Sequence, residues 1–247
     1  MPDVLGYRGK WGVIAPSTNT VVEPDYYAMA PPGITLHIGR IYIKDQNLSS
    51  DRAFEHLLEQ VRESIGRAIT DVMTCEPDYL VMGMSAETFV GGKEGNLAFK
   101  RRVEEQAGLR VATGAEAVHR ALGVLGARRL GVITPYQPVG DEQVRRFFGD
   151  YGYDVVALRG LKCTSAIDIA MQTEQTLRES ILEVNKPDVD AIVQAGTNLS
   201  MLRLADEAER WLEKPVIAIN AATFWYALRE NGIADQIRGF GSLLREH

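Results

Sequence analysis

Short apolar runs that end at Gly, Pro or Ser alternate along this chain with longer segments whose apolar residues recur at helical spacing. Such alternation is typical of βα units that form a parallel sheet. The pattern predicts strands over residues 11–15, 35–43, 79–82, 110–112, 129–134, 154–158, 191–194 and 215–219. It predicts helices over residues 52–73, 96–107, 114–125, 141–151, 174–184 and 201–211. We therefore expect an α/β fold with parallel sheets.

Two pieces of sequence recur, which indicates an internal duplication. Gly12-Val-Ile-Ala-Pro16 returns as Gly131-Val-Ile-Thr-Pro135, an offset of 119 residues (131 − 12). The segment 77–82 returns as the segment 189–194, with an offset of 112 residues between their aspartates (190 − 78). The sequence therefore predicts two pseudo-symmetric halves.

The duplication also predicts where the lobes and their ligand lie. We assign residues 1–112 and a C-terminal segment of about 220–247 to an N-lobe, and residues 113–219 to a C-lobe. Ligands of open parallel sheets bind beyond the carboxyl ends of the strands. Two facing sheets would direct four strand-end loops into one cleft, so we predict an active site between the lobes.

Composition and charge narrow the possible partners. The 247 residues are 45% hydrophobic and 24% charged, with a formal net charge of −6, which argues against binding to nucleic acid or to an acidic membrane surface. The N-terminal residues lack the apolar stretch of a signal peptide, and no run approaches about 18 apolar residues, so we expect a cytoplasmic protein. The two cysteines match no metal spacing, and no nucleotide-binding motif is found. We predict neither a metal nor a cofactor.

The loops after the first strand of each half carry groups that can hold an anion. Ser17 and Asn19 follow the first strand, where hydroxyl, amide and backbone N–H groups at a helix start can cradle a carboxylate. Plain capping of the helix is the alternative. Tyr136 follows the corresponding strand of the second half, and its phenol can donate to a carboxylate or enolate oxygen. A half-buried tyrosine that reaches solvent is the alternative there.

The loops after the later strands add further donors and one acid. Ser85 can donate to an oxyanion, and Glu87 is the titratable group of its loop, which a dry cleft would convert into a general acid or base. An exposed loop glutamate is the alternative. In the second half, Thr197 and Asn198 precede a helix and form an anion nest. We predict Glu87, Tyr136 and Ser85 as catalytic candidates, with Thr197 and Asn198 in substrate binding.

Two neighbouring segments complete the predicted walls of the cleft. Ser165 is a candidate for a fifth wall, and Met84 is a candidate for contact with the substrate. Together with Ser17 and Asn19, both are predicted to bind substrate. Cys163 lies close to Ser165 in the chain, but free cysteines are commonly buried, so a packed thiol and a nucleophile both remain open. The histidines lie outside these loops, and nothing supports a His-centred triad.

In these segments the chain resembles the aspartate/glutamate racemase superfamily, and in particular its branch of maleate cis–trans isomerase and arylmalonate decarboxylase. The resemblance runs through Val13-Ile-Ala-Pro-Ser-Thr-Asn19, Val90-Gly-Gly92, Thr134-Pro-Tyr136, the Gly196 loop and Pro215-Val216. It implies two Rossmann-like βα lobes, a cofactor-free active site for a small anionic substrate, and a homo-oligomer, either a dimer or a tetramer. It also implies that the substrate carboxylates are held by Asn19, Ser85, Tyr136, Thr197 and Asn198.

The chain departs from this family at the catalytic cysteines. Racemases and isomerases of the family use two cysteines, one from each half, and the decarboxylase keeps only the second. By position the second cysteine falls on Gly196 and the first on Gly83 or Met84, so neither is Cys here. Proton transfer by two thiols and addition of a thiol to maleate are therefore not expected.

Three functions remain open. The first is a cofactor-independent lyase or decarboxylase of a small carboxylic or dicarboxylic acid, in which the loops stabilise an enolate and Glu87, Tyr136 or water carries the proton. The second is a maleate-type cis–trans isomerase, or a related hydrolase, with a non-standard nucleophile, for which Ser85 and Cys163 are candidates. The third is an inactive protein that binds small acids.

Overall fold

Eight parallel strands form two separate four-stranded sheets in the computed structural model, which describes residues 3–247. The strands of the first sheet, in the order β2-β1-β3-β4, are β1 (Gly9–Pro16), β2 (Ile34–Ile41), β3 (Tyr79–Met82) and β4 (Val111–Ala112). The strands of the second sheet, in the order β6-β5-β7-β8, are β5 (Arg129–Thr134), β6 (Asp154–Gly160), β7 (Ala191–Gln194) and β8 (Val216–Ala218). The predicted α/β fold of two lobes with parallel sheets is confirmed.

Ten α-helices and one short 3-10 helix connect these strands within the described residues. In the first half they are α1 (Val22–Met29), α2 (Asp51–Met73), α3 (Ala86–Phe89), α4 (Gly92–Ala107) and α5 (Gly114–Leu125). In the second half they are α6 (Pro138–Asp150), the 3-10 helix (Asp168–Met171), α7 (Glu174–Val184), α8 (Leu202–Leu212), α9 (Ile219–Glu230) and α10 (Ser242–Glu246). Three of the helices have a hydroxyl cap, in which the side chain accepts a hydrogen bond from a backbone N–H of the first turn. The caps are Ser50 for α2, Thr113 for α5 and Thr173 for α7.

The internal repeat occupies equivalent places in the two sheets. The Gly12 and Gly131 motifs form β1 and β5, and the later motifs form β3 and β7, which are the two inner strands of each sheet. Near the C-terminus, α9 packs against α1, α5 and strands β3 and β4 of the first sheet. This packing supports the assignment of the C-terminal segment to the N-lobe, and the exact lobe boundaries stay a prediction.

Strands β3 and β7 and helix α9 are deeply buried elements of the fold. Every residue of β3 and of β7 is buried, as expected of parallel strands covered on both faces. On α9 all residues from Ile219 to Leu228 are buried, and Phe224 packs on Trp11 and Tyr26 with ring centroids 5.6 and 5.4 Å apart. Across residues 3–247, no helix combines the length and the apolar character needed to cross a membrane.

Candidate active site

The loops that follow β1, β3, β5 and β7 meet and enclose a cavity. The volume open to the centre of a water molecule is about 60 Å³, which is enough for several waters. Its polar wall is made by Thr18, Asn19, Ser85, Tyr136, Thr197 and Asn198. The other lining residues are Pro16, Ile43, Leu48, Phe54, Leu57, Leu58, Val61, Met84, Ala86, Pro135, Ala166, Ile169 and Gly196. Within the described part of the chain, no acidic or basic side chain is among them.

Two hydroxyls from opposite halves form the centre of the polar wall. Ser85 Oγ lies 2.9 Å from the Tyr136 hydroxyl, and the Ala195 carbonyl accepts from both at 3.0 and 2.8 Å. The Thr197 N–H donates to Ser85 Oγ at 3.2 Å. The contacts among Ser85, Tyr136 and the Ala195 carbonyl number three, but the two hydroxyls have only two hydrogens to donate. Either hydroxyl can redirect its hydrogen to a substrate oxygen while the other still bonds the Ala195 carbonyl.

Tyr136 is held as a neutral hydrogen-bond donor. Its side chain is buried, and its ring packs on Phe54 with centroids 5.3 Å apart. Burial raises the pKa of the phenol well above its ordinary value of 10.0, because the charged phenolate would lose its hydration. At neutral pH Tyr136 therefore carries its proton and can donate it in a hydrogen bond to an oxyanion.

Asn19 links the first helix to the second half of the molecule. Its Oδ1 accepts from the N–H groups of Val21 and Val22 at 3.0 and 2.9 Å, which satisfies donors at the start of α1. Its Nδ2 donates to Thr197 Oγ1 at 3.2 Å. Asn19 thus caps a helix and lines the cavity at the same time. The Thr197 hydroxyl accepts in this contact, which leaves its own hydrogen for a ligand.

Asn198 makes the corresponding link from the second half. Its Oδ1 accepts from the Thr20 N–H at 3.0 Å, and its Nδ2 donates to the Ala166 carbonyl at 2.9 Å. Both polar atoms are engaged by the protein itself. Asn198 therefore shapes the cavity by holding two loops, in addition to presenting a face to it.

The remaining wall is apolar and includes four residues of α2, which was not predicted from the sequence as a source of lining residues. Phe54, Leu57, Leu58 and Val61 all face the cavity from the first turns of this helix. They belong to the apolar stripe of α2, but the stripe alone does not say whether it packs on a sheet or faces a ligand. The site is accordingly a hydrophobic cavity with neutral hydrogen-bond donors at one side.

Six of the nine residues predicted for the site line the cavity: Asn19, Met84, Ser85, Tyr136, Thr197 and Asn198. Glu87 does not line the cavity, so the prediction that it lies in the cleft is wrong. It is the second residue of α3, where its buried carboxylate receives two hydrogen bonds from the Arg62 guanidinium of α2, at 2.7 and 3.1 Å. The helical turn directs the carboxylate toward α2, and the ion pair neutralises it there.

Ser17 and Ser165 also lie outside the cavity lining. Ser17 is exposed, and its Oγ accepts from the Ile43 N–H at 3.0 Å. Ser165 Oγ accepts from the Asp168 N–H at 3.0 Å, so its neighbour Ala166 faces the cavity instead. The Ser17 hydroxyl joins two separate loops and the Ser165 hydroxyl stabilises a local turn, and the sequence gives no signal that separates these roles from ligand binding.

No cysteine is among the lining residues of the cavity in the described chain. Cys163 is buried, and its N–H donates to the Pro135 carbonyl at 3.0 Å. Burial raises the pKa of this thiol to about 12, so it stays protonated and unreactive at neutral pH. Cys163 is therefore a packing residue. Within residues 3–247, no group of three or more His, Cys, Asp or Glu side chains is arranged to hold a metal ion.

The fold and the cavity together define an α/β protein of two lobes with a cavity where its two halves meet. The sequence profile described as arylmalonate decarboxylase matches residues 12–244. The chain therefore belongs to the arylmalonate decarboxylase family. The predicted resemblance to this branch and to maleate isomerase is confirmed.

Individual relatives agree with this assignment. The maleate isomerase of Pseudomonas putida is 23% identical over 94% of this chain and 96% of its own. The arylmalonate decarboxylase of Bordetella bronchiseptica is 30% identical over 67% of this chain and 70% of its own. The structure of a Nocardia farcinica maleate cis–trans isomerase with a covalently bound succinylcysteine intermediate superposes with a TM-score of 0.87 at 21% identity, covering 96% of this chain and 98% of that one. These relatives are enzymes.

Proposed function

We propose that this protein is a cofactor-independent lyase that decarboxylates a small carboxylic or dicarboxylic acid bearing an apolar substituent. The observation that carries the proposal is the combination, in one cavity, of clustered neutral hydrogen-bond donors with an otherwise apolar, uncharged lining. The donors fit a carboxylate, and the apolar wall fits a substituent that a bare dicarboxylate lacks. Family membership adds support, since the profile is that of arylmalonate decarboxylase.

The chemistry needs only what this cavity contains. When the bond between the α-carbon and one carboxylate breaks, carbon dioxide leaves and the electron pair moves onto the oxygens of the remaining carboxylate. Ser85 and Tyr136 donate to those oxygens, whose charge grows as the bond breaks. A proton then adds to the α-carbon and completes the product. Water supplies it, directly or by reprotonating Tyr136 after the phenol has donated, and the remaining hydroxide combines with the released carbon dioxide as bicarbonate.

A maleate-type isomerase is the second candidate, because maleate isomerases match this chain over nearly its whole length. The Nocardia farcinica relative is described with a succinylcysteine intermediate, whereas no thiol lines this cavity in the described chain. Ser85 is the remaining nucleophile candidate, and its neighbours are a phenol, a carbonyl and an N–H. None of these is a base that activates a hydroxyl, so decarboxylation is the better-supported reaction.

The test is an assay of the purified protein with malonate, phenylmalonate, alkylmalonates and maleate. We expect carbon dioxide release from substituted malonates and no conversion of maleate to fumarate by proton NMR. Tyr136→Phe and Ser85→Ala should each lower kcat by about 100-fold or more. Tyr42→Phe, at a tyrosine that is 65% exposed, is the matched control and should leave kcat unchanged.

The other outcomes identify the alternatives. Fumarate formation from maleate without any decarboxylation would contradict the proposal in favour of an isomerase. A rise in melting temperature with these acids but no turnover of any of them would indicate a binding protein, because a ligand that binds only the native state stabilises it.

A further inference from the structure

Two aspartates occupy equivalent places behind the polar wall, one in each half. Asp25 is the fourth residue of α1, and Asp141 is the fourth residue of α6. Each helix is the one that follows the first strand of its half, β1 or β5. Neither side chain lines the cavity. Each is connected to a residue that does.

Asp141 is connected to Tyr136 through one hydroxyl. The fully buried Thr134 donates its hydroxyl hydrogen to Asp141 Oδ1. The same Thr134 Oγ1 accepts from the Tyr136 N–H at 3.2 Å. Because the hydroxyl hydrogen is committed to the carboxylate, the oxygen presents its lone pairs to the Tyr136 backbone. The carboxylate therefore fixes the turn from which the Tyr136 phenol reaches the cavity.

Asp25 is connected to Thr197 through one amide. Asn220 Nδ2 donates to Asp25 Oδ2 at 2.8 Å and to the Thr197 carbonyl at 3.0 Å. Asn220 is buried, and its Oδ1 has no hydrogen-bond partner among the described residues. Its orientation is thus set by the two acceptors of its Nδ2. Thr197, whose carbonyl is one of these acceptors, carries both the hydroxyl at the cavity and the N–H that donates to Ser85.

The pKa values of the two carboxyl groups are shifted in the same direction and for the same reason. Burial raises the pKa of each from 3.8 to about 6. Arg145 on α6, Lys162 after β6 and Asp51 at the start of α2 face Asp141. Arg203 on α8 faces Asp25, and Glu174 of α7 lines the same groove. Both carboxylates therefore change charge near pH 6.

We propose that Asp25 and Asp141 are a pair of positioning residues that hold the hydrogen-bond donors of the cavity from behind, one carboxylate for each half. Asp141 positions Tyr136, and Asp25 positions the Thr197 peptide. The ionised form is the stronger hydrogen-bond acceptor, so each donor is held best when its aspartate is charged. The kinetic part of the test rests on the proposed function, and the spectroscopic part does not.

The spectroscopic test follows two backbone amides by 15N–1H NMR as the pH is varied through about 6. The Tyr136 amide donates to Thr134, and the Asn198 amide shares a peptide group with the Thr197 carbonyl. We expect the Tyr136 amide to titrate in the unmodified protein and in Asp25→Asn but not in Asp141→Asn. The Asn198 amide should titrate in Asp141→Asn but not in Asp25→Asn. Each variant is thus the control for the other.

The same experiment can overturn the inference. It is wrong if neither amide titrates, if both titrations persist in the Asp25→Asn/Asp141→Asn double variant, or if either single substitution abolishes both. These outcomes do not depend on a substrate.

The kinetic test separates positioning from a general structural role. Asp141→Ala should lower kcat by about tenfold or more with little change in KM, because one hydrogen bond to a charged group is lost. Asp141→Asn keeps a neutral oxygen acceptor for Thr134, as the protonated aspartate does, so it should recover part of kcat and lose the acidic limb of the pH profile. Glu142→Gln, which removes a charge one residue further along α6 and outside these contacts, should match the unmodified enzyme.

Equal losses in kcat for Asp141→Asn and Asp141→Ala, or an unchanged acidic limb in Asp141→Asn, would contradict the proposal. If no substrate is turned over at all, the proposed function fails and the amide titrations alone decide about the aspartates.

Discussion

At the scale of single residues, Gly196 is the position where the family resemblance places a catalytic cysteine, and its surroundings leave no room for one. A Cβ atom built on Gly196 would lie 2.6 Å from both Cδ and Cγ of Pro135. Real Cβ atoms do not approach ring carbons this closely. A thiol could enter only if Pro135 moved, and Pro135 is itself part of the cavity lining. The packing of Pro135 against Gly196 therefore excludes a larger side chain at this position.

Gly196→Cys should consequently destabilise the protein without creating a thiol enzyme. We expect a loss of about 1–3 kcal/mol in the free energy of unfolding, the usual cost of overpacking a dense site. Pro135→Ala in the same chain should return part of this loss, since it removes the clashing ring carbons. Urea denaturation of both single variants and the double variant measures the coupling. Gly123→Cys, on an exposed surface with nothing within 4 Å of the added Cβ, is the control. Equal stability of Gly196→Cys and Gly123→Cys would contradict this prediction, because it would show that Pro135 moves aside at little cost in free energy.

Residue types and loop positions were enough to predict most of the polar wall but not the direction of each side chain. Asn19, Ser85, Tyr136 and Thr197 could be found because strand-end loops of parallel sheets converge. Glu87 lies in the same stretch of chain as Ser85, yet it points away and pairs with Arg62. That ion pair joins residues 25 apart in the chain. Nothing local in the sequence records it, because the packing of α2 over α3 decides it.

At the scale of elements, α2 serves two purposes along its length. Its N-terminal part contributes Phe54, Leu57, Leu58 and Val61 to the cavity. Its C-terminal part places Ile65, Ala68, Ile69 and Val72 in a separate core with residues of the first sheet. One continuous apolar stripe therefore supplies a ligand wall at one end and ordinary core packing at the other.

Substitutions in the two parts of α2 should therefore separate selectivity from stability. Leu57 lines the cavity and is only partly buried, so Leu57→Ala should shift kcat/KM toward substrates with a bulkier apolar substituent at a small cost in stability. Ile69 is 1% exposed, so Ile69→Ala should cost about 2–5 kcal/mol in the free energy of unfolding and leave the selectivity unchanged. Competition between phenylmalonate and methylmalonate measures the first effect, and urea denaturation measures the second. A selectivity change in Ile69→Ala as large as that in Leu57→Ala would contradict this division.

The strands could be predicted well from the sequence, and several helices could not. Parallel strands read as short apolar runs, and the repeat alone indicates that β1 and β5 are equivalent. The prediction omitted α9 because it is buried all round from Ile219 to Leu228, which removes the amphipathic period that marks a helix. It expected a helix start after Asn19 but gave no bounds for α1, because the segment is short and Pro24 lies in its first turn. Tertiary burial, rather than local pattern, determines both elements.

At the scale of the whole molecule, the two halves are joined most closely where the substrate is expected. Asn19 bonds Thr197, the Thr20 N–H bonds Asn198, and Ser85 bonds Tyr136, so each of these contacts pairs one residue from each half. Beside the cavity, the loops after β2 and β6 also meet, with backbone hydrogen bonds of 2.8 and 2.9 Å between residues 46–48 and residues 164–166. The duplication thus produces a site that neither half contains alone.

The pH dependence of unfolding should report the two aspartates that support this boundary. Their folded pKa of about 6 lies above the ordinary value of 3.8, so the native state holds protons more tightly than the unfolded chain. Their contribution to stability is fully present below about pH 4 and is lost as the pH rises through about 6. The free energy of unfolding of the unmodified protein, minus that of Asp25→Asn/Asp141→Asn, should therefore fall from about pH 4 to about pH 8.

Asp190 should show the opposite pH dependence of stability within the same protein. Hydrogen bonds from the N–H groups of Arg129 and Arg128 lower its pKa below 3.8, so its contribution to stability is present above that value and is lost as the pH falls through the folded pKa. In urea denaturation, the corresponding difference for Asp190→Asn should rise with pH in the acidic range, while that for the aspartate pair falls. A flat or rising difference for Asp25→Asn/Asp141→Asn would show that the two carboxylates are as well solvated in the native protein as in the unfolded chain. In that case the pKa of Asp25 and Asp141 would not be raised in the native protein, and their protonation near pH 6 could not change the hydrogen bonds that hold the polar wall.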